Sequence, residues 1–202
     1  MKTAVIVGQN RPDSALAKLV DCYDRIIIFE PLPDAAAACR YMYKDCVSVI
    51  VFEAACGAAC GTSEFRQYNM HGLSSSLGTM TGEACAVYSG YDLSLQGTIE
   101  VQVLHLGLML QLLGVAAIDF LLIDAQGMDF TILKTVEPWI ASSAVTLIQL
   151  EADGEGFRHY DGLPDNSEAA IIDWMSQFSQ YELSRIPERL KQQPDLVFEL
   201  RP

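Results

Sequence analysis

Apolar residues in this chain fall into short unbroken runs separated by polar turns, and between several runs they recur at helical spacing. The first run, Thr3-Ala-Val-Ile-Val followed by Gly8, does not alternate, as expected of a parallel strand covered on both faces. A turn at Gln9-Asn-Arg-Pro-Asp13 leads into residues 14–21, where Leu16, Leu19 and Val20 share a helical face. A second run, Ile26-Ile-Ile-Phe29, ends at Glu30 and is closed by Pro31 and Pro33. The alanine-rich stretch 34–43 then predicts a capped helix. A third run, residues 47–52, reads as a strand running into Ala54-Ala-Cys-Gly57. Strands alternating with helices predict an α/β fold with a parallel sheet and right-handed crossovers, the first half of a doubly wound domain.

From Gly57 to Gly97 the pattern lapses into Gly, Ser and Thr, with strand candidates at 63–68 and 98–104. This stretch reads as an excursion inserted into the domain with a flexible loop and no second core. The alternation resumes with a helix over 106–113 and a strand over 118–123. Next come Asp124-Ala-Gln-Gly-Met-Asp129, a helix over 130–136, a strand over 145–150 ending at Glu151, and a helix over 167–178. Two last strands, 181–184 and 195–200, read as an antiparallel edge pair. With 202 residues and no internal repeat, a single domain spanning 1–202 is expected.

Composition narrows the function. The net charge of −13, from 26 acids against 13 Lys and Arg, opposes nucleic-acid phosphates and anionic membranes, so neither is expected as a partner. The first apolar run is β-branched and strand-like, not a leader, and points to a cytoplasmic protein. The six cysteines form no C-x-x-C pair and read as reduced structural thiols. Cys56 and Cys60 with a nearby His lack zinc spacing, and no metal is expected. Residues 104–123 are apolar enough to raise a membrane span, but His105, Gln111, Gly114 and Asp119 favour a buried helix and strand.

In an open parallel sheet ligands bind beyond the carboxyl ends of the strands. Here those ends are Gly8, Glu30, Ala55, Asp124 and Glu151. Gly8 permits a tight turn and close ligand approach. Glu30, 22 residues further on, has the separation of an acid that grips the ribose of an adenosine cofactor. Gly8-Gln-Asn-Arg-Pro-Asp13 supplies only the first glycine of G-x-G-x-x-G, which disfavours a pyrophosphate and favours S-adenosylmethionine over a nicotinamide dinucleotide. Asp124 could take a proton or hold an ammonium group; alternatively it caps the next helix.

The blocks Gly8-Gln-Asn-Arg-Pro-Asp-Ser14, Ile28-Phe-Glu-Pro31, Ala55-Cys-Gly57, Ser74-Ser-Ser-Leu77, Ile123-Asp-Ala-Gln-Gly127, Ile148-Gln-Leu-Glu151 and Asp195-Leu-Val-Phe198 resemble FkbM-family methyltransferases in order and spacing. The resemblance implies a class I, Rossmann-like methyltransferase fold. Its features are a mostly parallel seven-stranded sheet, helices on both faces, and an inserted loop or hairpin between strands 3 and 4. It also implies S-adenosylmethionine as cofactor and methylation of a hydroxyl on a sugar or similar metabolite. By position, Gly8, Gln9 and Asn10 would face the methionine part. Glu30, followed by Pro31, would hold the ribose, Ala55 and Cys56 would lie near the adenine, and Asp124 would sit between methionine and acceptor.

An acceptor hydroxyl has to lose its proton, for which Asp124 is the first candidate base and His105 the second. Where the family pattern has an acid before the first glycine, a second glycine and a lysine before I-D, this chain has Ile6, Pro12 and Leu122. A degenerate binding or scaffold protein of the same fold is therefore the alternative reading. A homo-oligomer stays open.

Overall fold

Five of the unbroken apolar runs form the parallel part of one sheet, because strands without alternation need cover on both sides. In the computed structural model the description covers residues 1–10, 19, 21–68, 72–185 and 191–202. Most of the helix expected over 14–21 lies outside these residues, as do Pro12 and His71. The strands are β1 (Thr3–Val7), β2 (Arg25–Phe29), β3 (Val49–Phe52), β4 (Ala55–Cys56), β5 (Gly61–Tyr68), β6 (Thr79–Met80), β7 (Leu95–Leu104), β8 (Phe120–Ile123), β9 (Leu147–Glu151), β10 (Tyr160–Asp161), β11 (Tyr181–Arg185) and β12 (Asp195–Leu200). The described helices are α1 (Pro33–Met42), α2 (Gly82–Val87), α3 (Leu106–Leu112), α4 (Asp129–Thr135), α5 (Glu137–Ala141) and α6 (Glu168–Met175).

The main sheet has the order β11-β12-β9-β8-β1-β2-β3. Strands β3, β2, β1, β8 and β9 run parallel, whereas β12 is antiparallel to both its neighbours. The last two strands pair antiparallel at one edge of the sheet as expected, with β11 outermost and β12 between it and β9. Residues of β12 are largely buried, with Leu196 and Phe198 in the main core, so the sheet gains by covering both its sides.

Alternation sorts the side chains of each strand onto two faces. Val5, Val7, Ile27, Phe29, Leu121 and Ile123 enter the large core. Ala4, Ile6, Ile26 and Ile28 form a smaller cluster with Tyr43, against which Leu122 packs. Helix α1 is opened by Pro33 and has no side-chain cap, in contrast to the capped start expected; a fixed φ and a missing N–H make Pro suited to that position.

The excursion between β3 and β8 has more structure than its composition suggests. Strands β4, β7 and β5 form a second small sheet, and β6 pairs with β10. Phe65, Val101 and Val103 cluster with Leu32, Ala35 and Ala55, and Tyr68, Met80, Ala84 and Leu93 with Phe157 and Tyr160. The excursion thus packs on the main domain as a wall beside the ends of its strands. The apolar stretch 104–123 is divided among the end of β7, α3 and β8, and no described helix is long and apolar enough to cross a membrane.

Candidate functional site

Strand order reverses between β1 and β8: the chain leaves β1 for β2 on one side and later returns to β8 on the other. The crevice at that reversal is where α/β sheets bind ligands. Gly8, Glu30, Asp124 and Glu151 all stand at or just past the carboxyl ends of the strands that border it.

Gly8 has φ 83°, and a Cβ added there would lie 1.7 Å from the carbonyl oxygen of Asp124. The close approach that requires glycine is therefore made by the neighbouring backbone. Beyond it Asn10 turns with φ 49°, which directs its N–H to Glu30 Oε2 at 2.5 Å. The other oxygen of Glu30 accepts the N–H of Leu32 at 2.8 Å. Glu30 is 2% exposed. Burial raises its carboxyl to about 7; the N–H groups of Leu32 and Asn10 pull it down, and the charge of Asp124 pushes it up again.

The segment Asp124-Ala-Gln-Gly127 makes a turn with two successive left-handed residues, Gln126 at φ 51° and Gly127 at φ 95°. Such a conformation at a glutamine is costly and needs strong surroundings. Asp129 supplies part of them: Oδ1 accepts from the Ala125 N–H and Oδ2 from the Gly127 N–H, each at 3.1 Å. Asp129 is fully buried, and burial first, then the charge of Asp124, raises it to about 8 against the opposing backbone donors. It braces the turn from within.

Gln126 is held at every polar atom of its side chain. Its Nε2 donates to Asp124 Oδ1 at 2.6 Å and reaches Glu151 Oε2 at 3.4 Å, and its Oε1 accepts from the Tyr160 hydroxyl at 2.8 Å. The Ser76 hydroxyl donates to its carbonyl at 2.7 Å, so the Ser74-Ser-Ser-Leu77 segment is latched onto this turn.

Together these elements line an open cleft of about 100 Å³. All eight residues expected at a cofactor line it: Gly8, Gln9, Asn10, Glu30, Pro31, Ala55, Cys56 and Asp124. Phe29, Leu32, Phe65, Leu77 and Met128 give it an apolar wall. A second cleft of about 240 Å³ adjoins it, sharing Leu73, Asp124 and Gln126 and continuing to Tyr88, Glu151, His159 and Gln193. Among the described residues no Lys or Arg lines either cleft.

His105, the second candidate base, lines neither cleft. It is the N-cap of α3, and its Nδ1 accepts the Leu108 N–H at 3.2 Å. A ring nitrogen engaged in holding a helix start is not available to a substrate. His159, which no sequence pattern singles out, lies in the second cleft instead, as do Tyr88 and Gln193. Cys56 is buried and its thiol is pushed up by that burial. Among the described residues no group of three His, Cys, Asp or Glu is arranged to hold a metal ion.

Residues 7–182 match the family model for the methyltransferase FkbM domain. The chain belongs to the FkbM methyltransferase family. No curated protein matches it by sequence. Among solved structures, this FkbM domain is similar to the methyltransferase FkbM of Methylobacillus flagellatus KT, with TM-score 0.60 and 12% identity over 98% of this chain and 43% of that one. The chain therefore spans less than half the length of that protein. More distant likenesses are the N-terminal domain of EvdMO1, crystallised in the presence of SAH and D-fucose (TM-score 0.49, 10% identity, 99% of this chain and 76% of that one), and an rRNA methylase from Streptococcus thermophilus (TM-score 0.47, 8% identity, 100% and 88%). The class I methyltransferase-like α/β fold with a mostly parallel central sheet is common to this chain and the first of them.

Proposed function

We propose that this FkbM domain transfers a methyl group from S-adenosylmethionine to a hydroxyl of a small-molecule acceptor. The observation that carries this reading is the buried carboxylate of Glu30 at the end of β2, in a cleft whose described lining holds acids and no cation. Two backbone N–H groups occupy one lone pair on each oxygen, and each oxygen keeps capacity for a further donor, such as a ribose hydroxyl. The apolar wall formed by Phe29, Leu32, Ala55 and Phe65 suits a purine, with Cys56 beside it.

Glu30, Asp124 and, in the adjoining cleft, Glu151 make a negative field that favours a sulfonium and an ammonium group and opposes a pyrophosphate. This charge argues for S-adenosylmethionine over a nicotinamide dinucleotide independently of the missing glycines. The group supplies an electrophilic methyl on a cationic sulfur. The chain's own part is alignment: the Gly8-Gln9-Asn10 turn and Glu30 hold one end, and Asp124, fixed by Gln126, stands where the two clefts meet. The second cleft, lined by Tyr88, Gln126, Glu151 and Gln193, offers donors and acceptors for a hydroxyl-bearing acceptor. A net charge of −13 further favours a small molecule over a nucleic acid.

Titration calorimetry with S-adenosylhomocysteine and with NAD tests the cofactor, and tritium transfer from methyl-labelled S-adenosylmethionine to a panel of free hexoses and alkyl glycosides tests the acceptor. Binding of S-adenosylhomocysteine alone is expected. Binding of NAD alone would overturn the reading, and binding of neither would leave a scaffold of methyltransferase ancestry as the better account.

A further inference from the structure

The second cleft contains one polar side chain whose hydrogen bonding is incomplete. Glu151 Oε2 accepts from Gln193 Nε2 at 2.9 Å, Gln193 Oε1 accepts from the Tyr88 hydroxyl, and Gln126 ties Asp124 to the same group. The imidazole of His159, 4% exposed, lines this cleft with Nδ1 unbonded. A buried polar atom without a partner is costly, and native structures keep few of them without a use.

The ring is held accurately in spite of this. It stacks on Tyr160 at 4.5 Å between centroids and on Tyr88 at 5.4 Å, both within 13° of parallel, and meets the edge of Phe157 at 5.7 Å. Its backbone N–H donates to Asp153 Oδ1 at 3.1 Å, which fixes the segment that carries it. Aromatic contacts hold the ring plane while leaving Nδ1 without a competing bond, an arrangement suited to a base.

We propose that His159 is the proton acceptor of the methyl transfer, receiving the proton of an acceptor hydroxyl lodged in the second cleft. This rests on the methyltransferase reading and assigns the role to neither Asp124 nor His105. The acceptor oxygen bonds the methyl carbon as the carbon–sulfur bond breaks and sulfur keeps the electron pair. The hydroxyl proton passes to an imidazole nitrogen and from there to solvent.

The electrostatics agree. Burial holds His159 down to about 4, so the ring is neutral and can accept at neutral pH. An alcohol oxygen that has begun to bond carbon is a strong acid, and a weak base suffices to take its proton. Tyr88, from the end of α2, stacks on the ring; Glu151 from β9, Asp124 and Gln126 from the β8 turn and Gln193 before β12 line the same cleft, and Arg158 and Asp153 belong to its own segment.

The test uses the whole chain labelled with nitrogen-15 histidine, saturated with S-adenosylhomocysteine, and xylitol as the hydroxyl probe up to molar concentration. At neutral pH one ring nitrogen of His159 is expected to be unprotonated, and its resonance to move upfield saturably with xylitol while that of His105 stays still. Two protonated nitrogens, or a His159 resonance unmoved by xylitol, would overturn the proposal. His159→Phe should remove the response and keep S-adenosylhomocysteine affinity within about twofold, since the ring lies outside the first cleft. If the wild type fails to bind S-adenosylhomocysteine the methyltransferase reading falls, yet the xylitol response of His159 can still be read in the free protein.

Discussion

Lowering the pH should release the cofactor product through one group, Glu30. Its carboxyl sits at about 7, because removal from water outweighs the two backbone N–H bonds that favour the charge. A ribose diol would add two further donors to the carboxylate and none that prefers the acid, so the bound state should hold it ionised well below 7. Affinity then follows the ionised fraction of the free protein: with the group at 7, S-adenosylhomocysteine should bind about tenfold more weakly at about pH 6 than at about pH 8, close to 1.4 kcal/mol. Calorimetry in buffers of different ionisation enthalpy should also show about half a proton released per ligand near neutrality. Asp129 titrates in the same region but does not line the cleft, and the Glu30→Gln variant separates the two. In that variant affinity should fall by about 1–3 kcal/mol, because the amide opposes a donor to a backbone N–H, and the pH dependence should vanish. A flat profile in the wild type, or a sloping one in Glu30→Gln, would refute the assignment of Glu30 to the ligand.

Four further outcomes follow from the geometry. Gly8→Ala should fail to fold or lose cofactor binding altogether, as judged by circular dichroism and calorimetry, because its Cβ would lie 1.7 Å from the Asp124 carbonyl oxygen at a φ that alanine avoids. His105→Ala should cost about 1 kcal/mol in urea denaturation, the loss of a helix cap, and leave methyl transfer unchanged. His159→Phe should lower the kcat for methyl transfer by roughly 10²–10⁴-fold with S-adenosylhomocysteine affinity preserved; a loss below tenfold would sink its role as base. Asp129 is raised from 3.8 to about 8, so the folded protein holds its proton over a range where the unfolded chain has lost it. Stability from this group is complete below about 4 and is lost as the pH climbs through about 8. The urea midpoint should therefore decline across that window, and Asp129→Asn should flatten the decline.

The part of the site that could be read from sequence is the part carried by strand ends. An apolar run ending in Gly or an acid marks both a strand and its carboxyl end, and in a parallel sheet those ends converge; Gly8, Glu30 and Asp124 are found by that rule alone. Residues contributed by loops follow no period. Ser76 meets Gln126 across 50 positions and the Tyr160 hydroxyl meets the carbonyl of Ser74 across 86, contacts that only the packed excursion creates. His159 had no apolar run beside it to mark it, whereas His105 stood before a helical run and was misread as chemical although it marks the helix start.

The substitutions that set this chain apart from the FkbM pattern bear on whether it is a working enzyme. The resemblance to FkbM proteins implies an acid at position 6 and a lysine at 122, and here both are apolar. Ile6 and Leu122 are register partners across β1 and β8, so the two departures meet as one apolar pair. Both side chains pack with the cluster of Ala4, Ile26, Ile28 and Tyr43, on the face that alternation turns away from Val7 and Ile123. Neither lines a cleft. With both positions apolar, neither strand buries a charge without a partner, and the fold stays intact. The residues that converge on the switch point, Gly8, Asn10, Glu30, Asp124, Gln126 and Asp129, form a continuous hydrogen-bonded and sterically fitted frame. A scaffold with no ligand would gain nothing from keeping Glu30 buried with its carboxyl raised or Gln126 in a left-handed turn, since both cost stability. That expense is consistent with a site still in use, and it weighs against the degenerate reading more than the altered β1 and β8 positions weigh for it.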